Sequence, residues 1–121
     1  MGPGALPPAV AGKEAERLVT RWAGEVVPEA GDLARRLGEE GLEPYMFTMG
    51  PGERYGLHQH DHDEVRWVVR GSVRFGLGGG GRVVLGPRDR LDLPAHTPHD
   101  ARTVGSAPCA MVSAARRSRR R

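Results

Sequence analysis

After Pro44 the chain falls into short runs in which apolar and polar positions alternate with period two. "YMFTM" (45–49), "YGLHQH" (55–60), "VRWVVRG" (65–71) and "VRFGL" (73–77) come first. "RVVLG" (82–86), "RLDLP" (90–94), "DARTV" (100–104) and "AMVSA" (110–114) follow. Between them lie turn signals: "GPGE", "GGGG", "GPRD", "PAHTP" and "GSAP". Eight short strands at this spacing predict an all-β fold, an antiparallel sandwich or barrel of about seventy residues. The glycine run at 78–81 lacks the Lys-Ser/Thr and following helix of a phosphate loop, so it reads as a hairpin turn.

Ahead of the strands the period changes. Ala15, Leu18, Val19, Trp22 and Ala23 share one face of a helix expected from Lys13 to about Val26. Pro28 interrupts it. Asp32 can then cap a second helix, "LARRLGEE", that Gly41 closes. Residues 13–41 thus read as a helical cover for the strand region at 42–114. The Pro/Gly/Ala-rich residues 1–12 and the arginine-rich residues 115–121 read as disordered.

Composition narrows the class. No apolar run approaches the ~20 residues that span a bilayer, and the N-terminus lacks a basic start, so neither membrane nor export is expected. The lone Cys109 has no disulfide partner and reads as a small core residue, compatible with a cytoplasmic protein. Five of the positive charges fall in the last six residues; removing them from the net +3 leaves a body of −2. The tail has no interleaved aromatics, so nucleic-acid binding is not expected.

The five histidines form two knots, "HQHDHDE" at 58–64 and "HTPH" at 96–99. Strand alternation puts His58 and His60 on one face, and Glu64 shares their parity after the short link. Inside a small barrel, two imidazoles and a carboxylate without partners would be costly, and a divalent cation resolves the problem. His99 is placed to complete a three-His, one-Glu set, while His62 falls off the ligand parity and is expected at the rim. Composition alone would produce G-x5-H-x-H-x3-E-x6-G in only ~3 in 10,000 such chains, and here Gly52, His58, His60, Glu64 and Gly71 satisfy it.

That pattern resembles the first motif of the cupin superfamily, small jelly-roll barrels that bind a metal through three His and one Glu. "RDRLDLPAHTPHDART" resembles the second motif, with Arg88 and His96 at usual glycine positions and Thr103 at the usual asparagine. His96 is therefore expected in a turn of positive φ. The resemblance covers about residues 44–114. It implies His58, His60, Glu64 and His99 as ligands of one divalent transition metal, Fe(II) favoured, with Mn, Ni, Co or Zn as the other occupants. "DEVRWVVRGSVRFGL" is further similar to the corresponding segment of acireductone dioxygenases, which use Fe(II) or Ni(II) on an enediol.

Arg66 shares the parity of Glu64 and should point inward, paired with an anionic ligand or with an internal acid such as Asp92. Trp67 and Val69 face the other way, under the helices or a second subunit. The expected function is a metal-dependent oxygenase or isomerase acting on a small oxygenated molecule. Arg66 would orient that molecule, and Glu64 on releasing the metal, or His96 at the mouth if it faces inward, would serve as base. A non-catalytic ligand-binding or sensing cupin is the alternative, and a homodimer is expected.

Overall fold

The computed structural model describes residues 12–116 and contains nine strands and two helices among them. The readings made for residues 1–11 and 117–121 lie outside the described residues. All eight strands expected from alternation are present: β2 (Glu43–Met49), β3 (Arg54–His58), β4 (Asp63–Arg70), β5 (Ser72–Leu77), β6 (Arg82–Leu85), β7 (Arg90–Leu93), β8 (His99–Val104) and β9 (Cys109–Arg116). A two-residue strand β1 (Val19–Thr20) joins them.

All pairings are antiparallel and form two sheets. One sheet runs β1-β7-β4-β9-β2 and the other β3-β8-β5-β6, the layered arrangement of a small jelly roll. Their inner faces meet in a core of Met49, Val68, Val73, Phe75, Leu85, Leu91 and Met111, among others. Cys109 belongs to this core, and burial pushes its thiol up to about 11.

The N-terminal reading needs correcting. The helix expected over 13–26 is only α1 (Gly12–Arg17), after which the chain becomes extended. Val19 pairs with Leu91, and the Leu18 carbonyl accepts a hydrogen bond from the Asp92 amide at 2.9 Å. The open edge of β7 offers these β-branched residues a better partner than a further helical turn does. Ala15, buried in the core, anchors α1 across an end of the barrel.

The second helix, α2 (Ala30–Glu39), starts earlier than Asp32, whose carboxylate instead accepts the Glu29 amide at 3.0 Å from within the first turn. Gly41, at φ +86°, ends it as expected. Its Leu33 and Leu37 are fully buried against Val65, Trp67, Val112 and Ala114 on the outer face of the five-stranded sheet. Each contributes about 1.5–3 kcal/mol relative to an exposed side chain. Thus α2 is the cover for Trp67 and Val69. Arg90, stacked 5.0 Å over Trp67, pins the end of α2 by pairing with Glu40 at 2.7 Å.

Turn chemistry sets the motif loops. "GGGG" is the β5–β6 hairpin, with Gly80 at φ +95° and the Leu77 amide donating to Gly81 O. Gly71 has φ +81°, and a Cβ there would run into Pro108 O and come within 2.8 Å of Cys109 Cα. Arg88 and His96, the two residues at usual glycine positions, are the non-glycine residues of positive φ among those described, at +71° and +64°. The Arg88 side chain donates to Pro28 O at 3.0 Å and Val69 O at 2.9 Å, which ties the N-terminal segment to the barrel. Thr103 Oγ1 donates to Gly50 O at 2.8 Å, bracing the β2–β3 turn.

Candidate metal centre

Strand β3 delivers His58, the link after it His60 and His62, β4 Glu64 and Arg66, and β8 His99. His58 stands directly opposite His99 in the β3–β8 register. The three rings of His58, His60 and His99 lie with centroids 4.4–5.4 Å apart, and one ring nitrogen from each falls within 4.8 Å of the other two. Glu64 is buried beside them, 3.6 Å from His60 Nε2 and 4.0 Å from His99 Nε2.

The backbone fixes which ring nitrogens are free. His58 Nδ1 lies 2.6 Å from Gly56 O and His99 Nδ1 lies 2.8 Å from Thr97 O. A carbonyl can only accept, so each Nδ1 carries the proton and each Nε2 keeps a lone pair. Burial holds the His99 pKa below the ordinary histidine range, outweighing the hydrogen bond to Thr97, so its ring is neutral near pH 7. His60 Nε2 is buried with no hydrogen-bond partner. A donor set of imidazoles and a carboxylate around an orphaned nitrogen fits a divalent transition metal.

The structure also separates the other candidates. His62 stacks on His60 at 5.0 Å and puts Nε2 3.6 Å from Glu64 Oε2, closer to the cluster than a rim position. Alternation could not show this, because residues 59–62 form no strand. His96 is exposed and lies outside the cavity lining; its amide donates to His60 O at 2.7 Å. It therefore does not face inward as a base. Arg66 does point inward, and its internal partner is Glu64 at 3.3 Å rather than Asp92. Asp92 pairs in register with Val65, on the outer face, and is held by Arg90 at 2.9 Å.

The imidazoles open onto a cavity of about 180 Å³. Phe47, Met49, Phe75 and Met111 make its walls apolar, while Arg66 and Tyr55 supply polar groups. Arg66 is braced by Ser113 Oγ at 3.0 Å and lies 5.0 Å from the centroid of Phe47. Tyr55 donates its hydroxyl to Glu53 at 2.7 Å, a bond that raises its pKa. Tyr55 and His58 have opposite parity in sequence but share the cavity, because β3 carries an extra residue between them relative to β8.

Residues 45–115 match the family described as Cupin domain. The chain belongs to the cupin family. Dimethylsulfoniopropionate lyase DddQ of Ruegeria pomeroyi is 30% identical over 87 residues, covering 72% of this cupin and 41% of the lyase. The crystal structure of that lyase superposes with a TM-score of 0.58 over 64% of this chain and 39% of the lyase chain, at 30% identity. The cupin thus spans about two fifths of the length of that relative. KdgF from a Halomonas species is 27% identical with a TM-score of 0.54, covering 64% and 71% of the two chains. Oxalate decarboxylase of Lactobacillus farciminis, at 18% identity and a TM-score of 0.55 over 61% of this chain and 23% of that one, shares the fold.

Proposed function

We propose that this cupin is a metal-dependent enzyme acting on a small oxygenated anion. His58, His60, Glu64 and His99 hold one divalent transition metal, Fe(II) by preference, and Arg66 orients the substrate. The observation that carries this reading is His60 Nε2, buried without a hydrogen-bond partner among the imidazoles of His58 and His99 and the buried Glu64 carboxylate. When bound, the ion supplies Lewis-acid polarisation of a substrate oxygen or, as Fe(II), reducing power toward dioxygen.

The chain's own residues do the rest. The cavity is smaller than the roughly 300–1,000 Å³ of pockets for drug-sized ligands, so it admits only a small molecule. Its apolar walls lower the local dielectric, which strengthens charge interactions within. The Arg66 guanidinium faces the cavity with its position set by Ser113 and Glu64, and its spare N–H groups suit a carboxylate or enediolate oxygen. Glu64, the one carboxylate buried in the cluster, would serve as the base on release from the metal.

The reaction is an oxygenation or isomerisation, and the likeness to acireductone dioxygenases around "DEVRWVVRG" supports the first. A second reading, non-oxidative elimination from a small carboxylate, is supported by the 30% identity to a protein named as a lyase. The test is a screen of enediols, diketones and small carboxylates with Fe(II)-loaded protein, followed by oxygen electrode and product analysis. Oxygen uptake matching product supports an oxygenase, and equal turnover under argon supports isomerisation or elimination. Tight binding of an unchanged ligand with no turnover would sink both and leave a sensing module. A cytoplasmic homodimer completes the proposal, the dimer being checked by light scattering on purified protein.

A further inference from the structure

On the outer face of the four-stranded sheet, three arginines stand in one row. Arg54 on β3 is directly opposite Arg102 on β8, which is directly opposite Arg74 on β5. Adjacent strands lie ~4.8 Å apart, so the row is only about 10 Å long. Like charges placed directly opposite across strands are destabilising. Yet none of the three forms an ion pair among the described residues, and Arg74 Nε is buried without a hydrogen-bond partner. Acids do hold other arginines of the fold, Arg21 with Glu16 and Asp89, Arg35 with Glu39, and Arg90 with Glu40 and Asp92, but none reaches this row.

The three side chains line a single concavity of about 340 Å³. Gly56 lies on its lining with nothing within 4 Å of where its Cβ would stand, which leaves the backbone open to a ligand. One acid, Asp100, shares the concavity, but its Oδ1 already accepts the Gly76 amide at 3.1 Å. Three guanidinium groups against one carboxylate leave an excess of two positive charges. A phosphate monoester carries about −1.5 to −2 at neutral pH, with three acceptor oxygens that match the guanidinium fork.

We propose that the outer face of the β3-β8-β5 sheet binds the phosphate group of a small molecule through Arg54, Arg74 and Arg102. The site is separate from the metal centre. The sheet lies between them, with His99 and Tyr55 turned to the inner face and the arginines to the outer one. A nucleic acid fits less well. The row is short, an acid interrupts it, and the aromatic residue on the concavity's lining, Tyr55, has its ring packed against Phe47.

Calorimetric titration tests this, with inorganic phosphate and glycerol 3-phosphate as probes against sodium chloride at matched ionic strength. Both phosphates are expected to bind in a saturable manner, and a tighter monoester would mark a phosphorylated metabolite rather than free phosphate as the ligand. Arg102→Ser, which removes the centre of the row, is expected to weaken binding at least tenfold. It should leave the fold intact by circular dichroism, because it relieves repulsion. His99→Ala is expected to retain phosphate affinity, so failure of the metal reading would leave this result untouched. Equal affinity in wild type and Arg102→Ser would overturn the proposal. So would a single-stranded oligonucleotide that binds far more tightly than the monoester, or a dimer that Arg102→Ser dissociates without any phosphate effect.

Discussion

Arg66 Nη2 lies 3.3 Å from each oxygen of Glu64, two residues earlier on the same inward face of β4. The cation lies against the carboxylate assigned to the metal, so the two positive groups share one acid. Without a metal, Arg66 is the arginine paired with buried Glu64, and removing it leaves that acid without its guanidinium partner. Arg66→Met is therefore expected to lower the stability of metal-free protein by about 1–3 kcal/mol. The loss should shrink once Fe(II) or Zn(II) is added. Denaturant melts with and without metal check this, and an equal loss in both states would contradict the shared-acid arrangement. With a substrate in hand, the same variant should raise KM while retaining metal.

Two positions of positive φ carry opposite expectations. At His96, φ +64°, a side chain occupies a conformation that costs non-glycine residues about 1–2 kcal/mol. Part of that gain returns as extra unfolded-state entropy, so His96→Gly should stabilise the protein by about 1 kcal/mol or less. Gly71 has the same sign of φ but no room beside Pro108 and Cys109. Gly71→Ala should cost about 2 kcal/mol or more, since strain and a backbone clash add. Thermal melts of the two variants read the signs directly, and the reverse order would rule out this account of the loops.

The Glu40–Arg90 pair gives the fold an acid-sensitive fastening. The hydrogen bond from Arg90, more than any other cause, holds the Glu40 pKa below the ordinary carboxylate range. A depressed carboxylate contributes stability that is present above its unfolded value, near 4.3, and is lost as pH falls through the folded value. Glu40 is partly exposed, so the contribution is below about 1 kcal/mol. Glu40→Gln should thus be slightly less stable than wild type at pH 7, with the gap closing below about pH 4. A gap that widens in acid would show that the pair does not fasten α2.

Alternation and turn residues made the barrel legible: every expected strand exists, and Glu64, Arg66, Trp67 and Val69 face as parity says. What sequence could not show depends on pairing between distant segments. Val19 leaves a helical pattern because the edge of β7 is free to accept it. Tyr55 enters the cavity because of an extra residue in β3, visible only against β8. The Arg54–Arg102–Arg74 row likewise exists only through register, its members being 48 and 28 positions apart in sequence. Asp92 was a reasonable partner for Arg66 until β4–β7 pairing turned it outward beside Val65.

His62 is the residue whose place in the cluster most changes the expectation for metal binding. Its Nε2 lies as close to Glu64 Oε2 as His60 Nε2 does, both at 3.6 Å, yet His62 Nδ1 faces the exposed Asp61. His99, by contrast, is buried, with Nδ1 tied to Thr97 O and Nε2 left for the site. If His99 is a ligand and His62 only steadies the Glu64 carboxylate, the two alanine variants must differ in degree. His99→Ala should lose most bound metal on desalting. His62→Ala should keep near-stoichiometric metal with an affinity about tenfold weaker, the usual penalty for losing an orienting partner. Elemental analysis after desalting, followed by competition with a chelator, separates these outcomes. Full metal retention in His99→Ala, or complete loss in His62→Ala, would move the centre to the His60–His62–Glu64 side of the cluster.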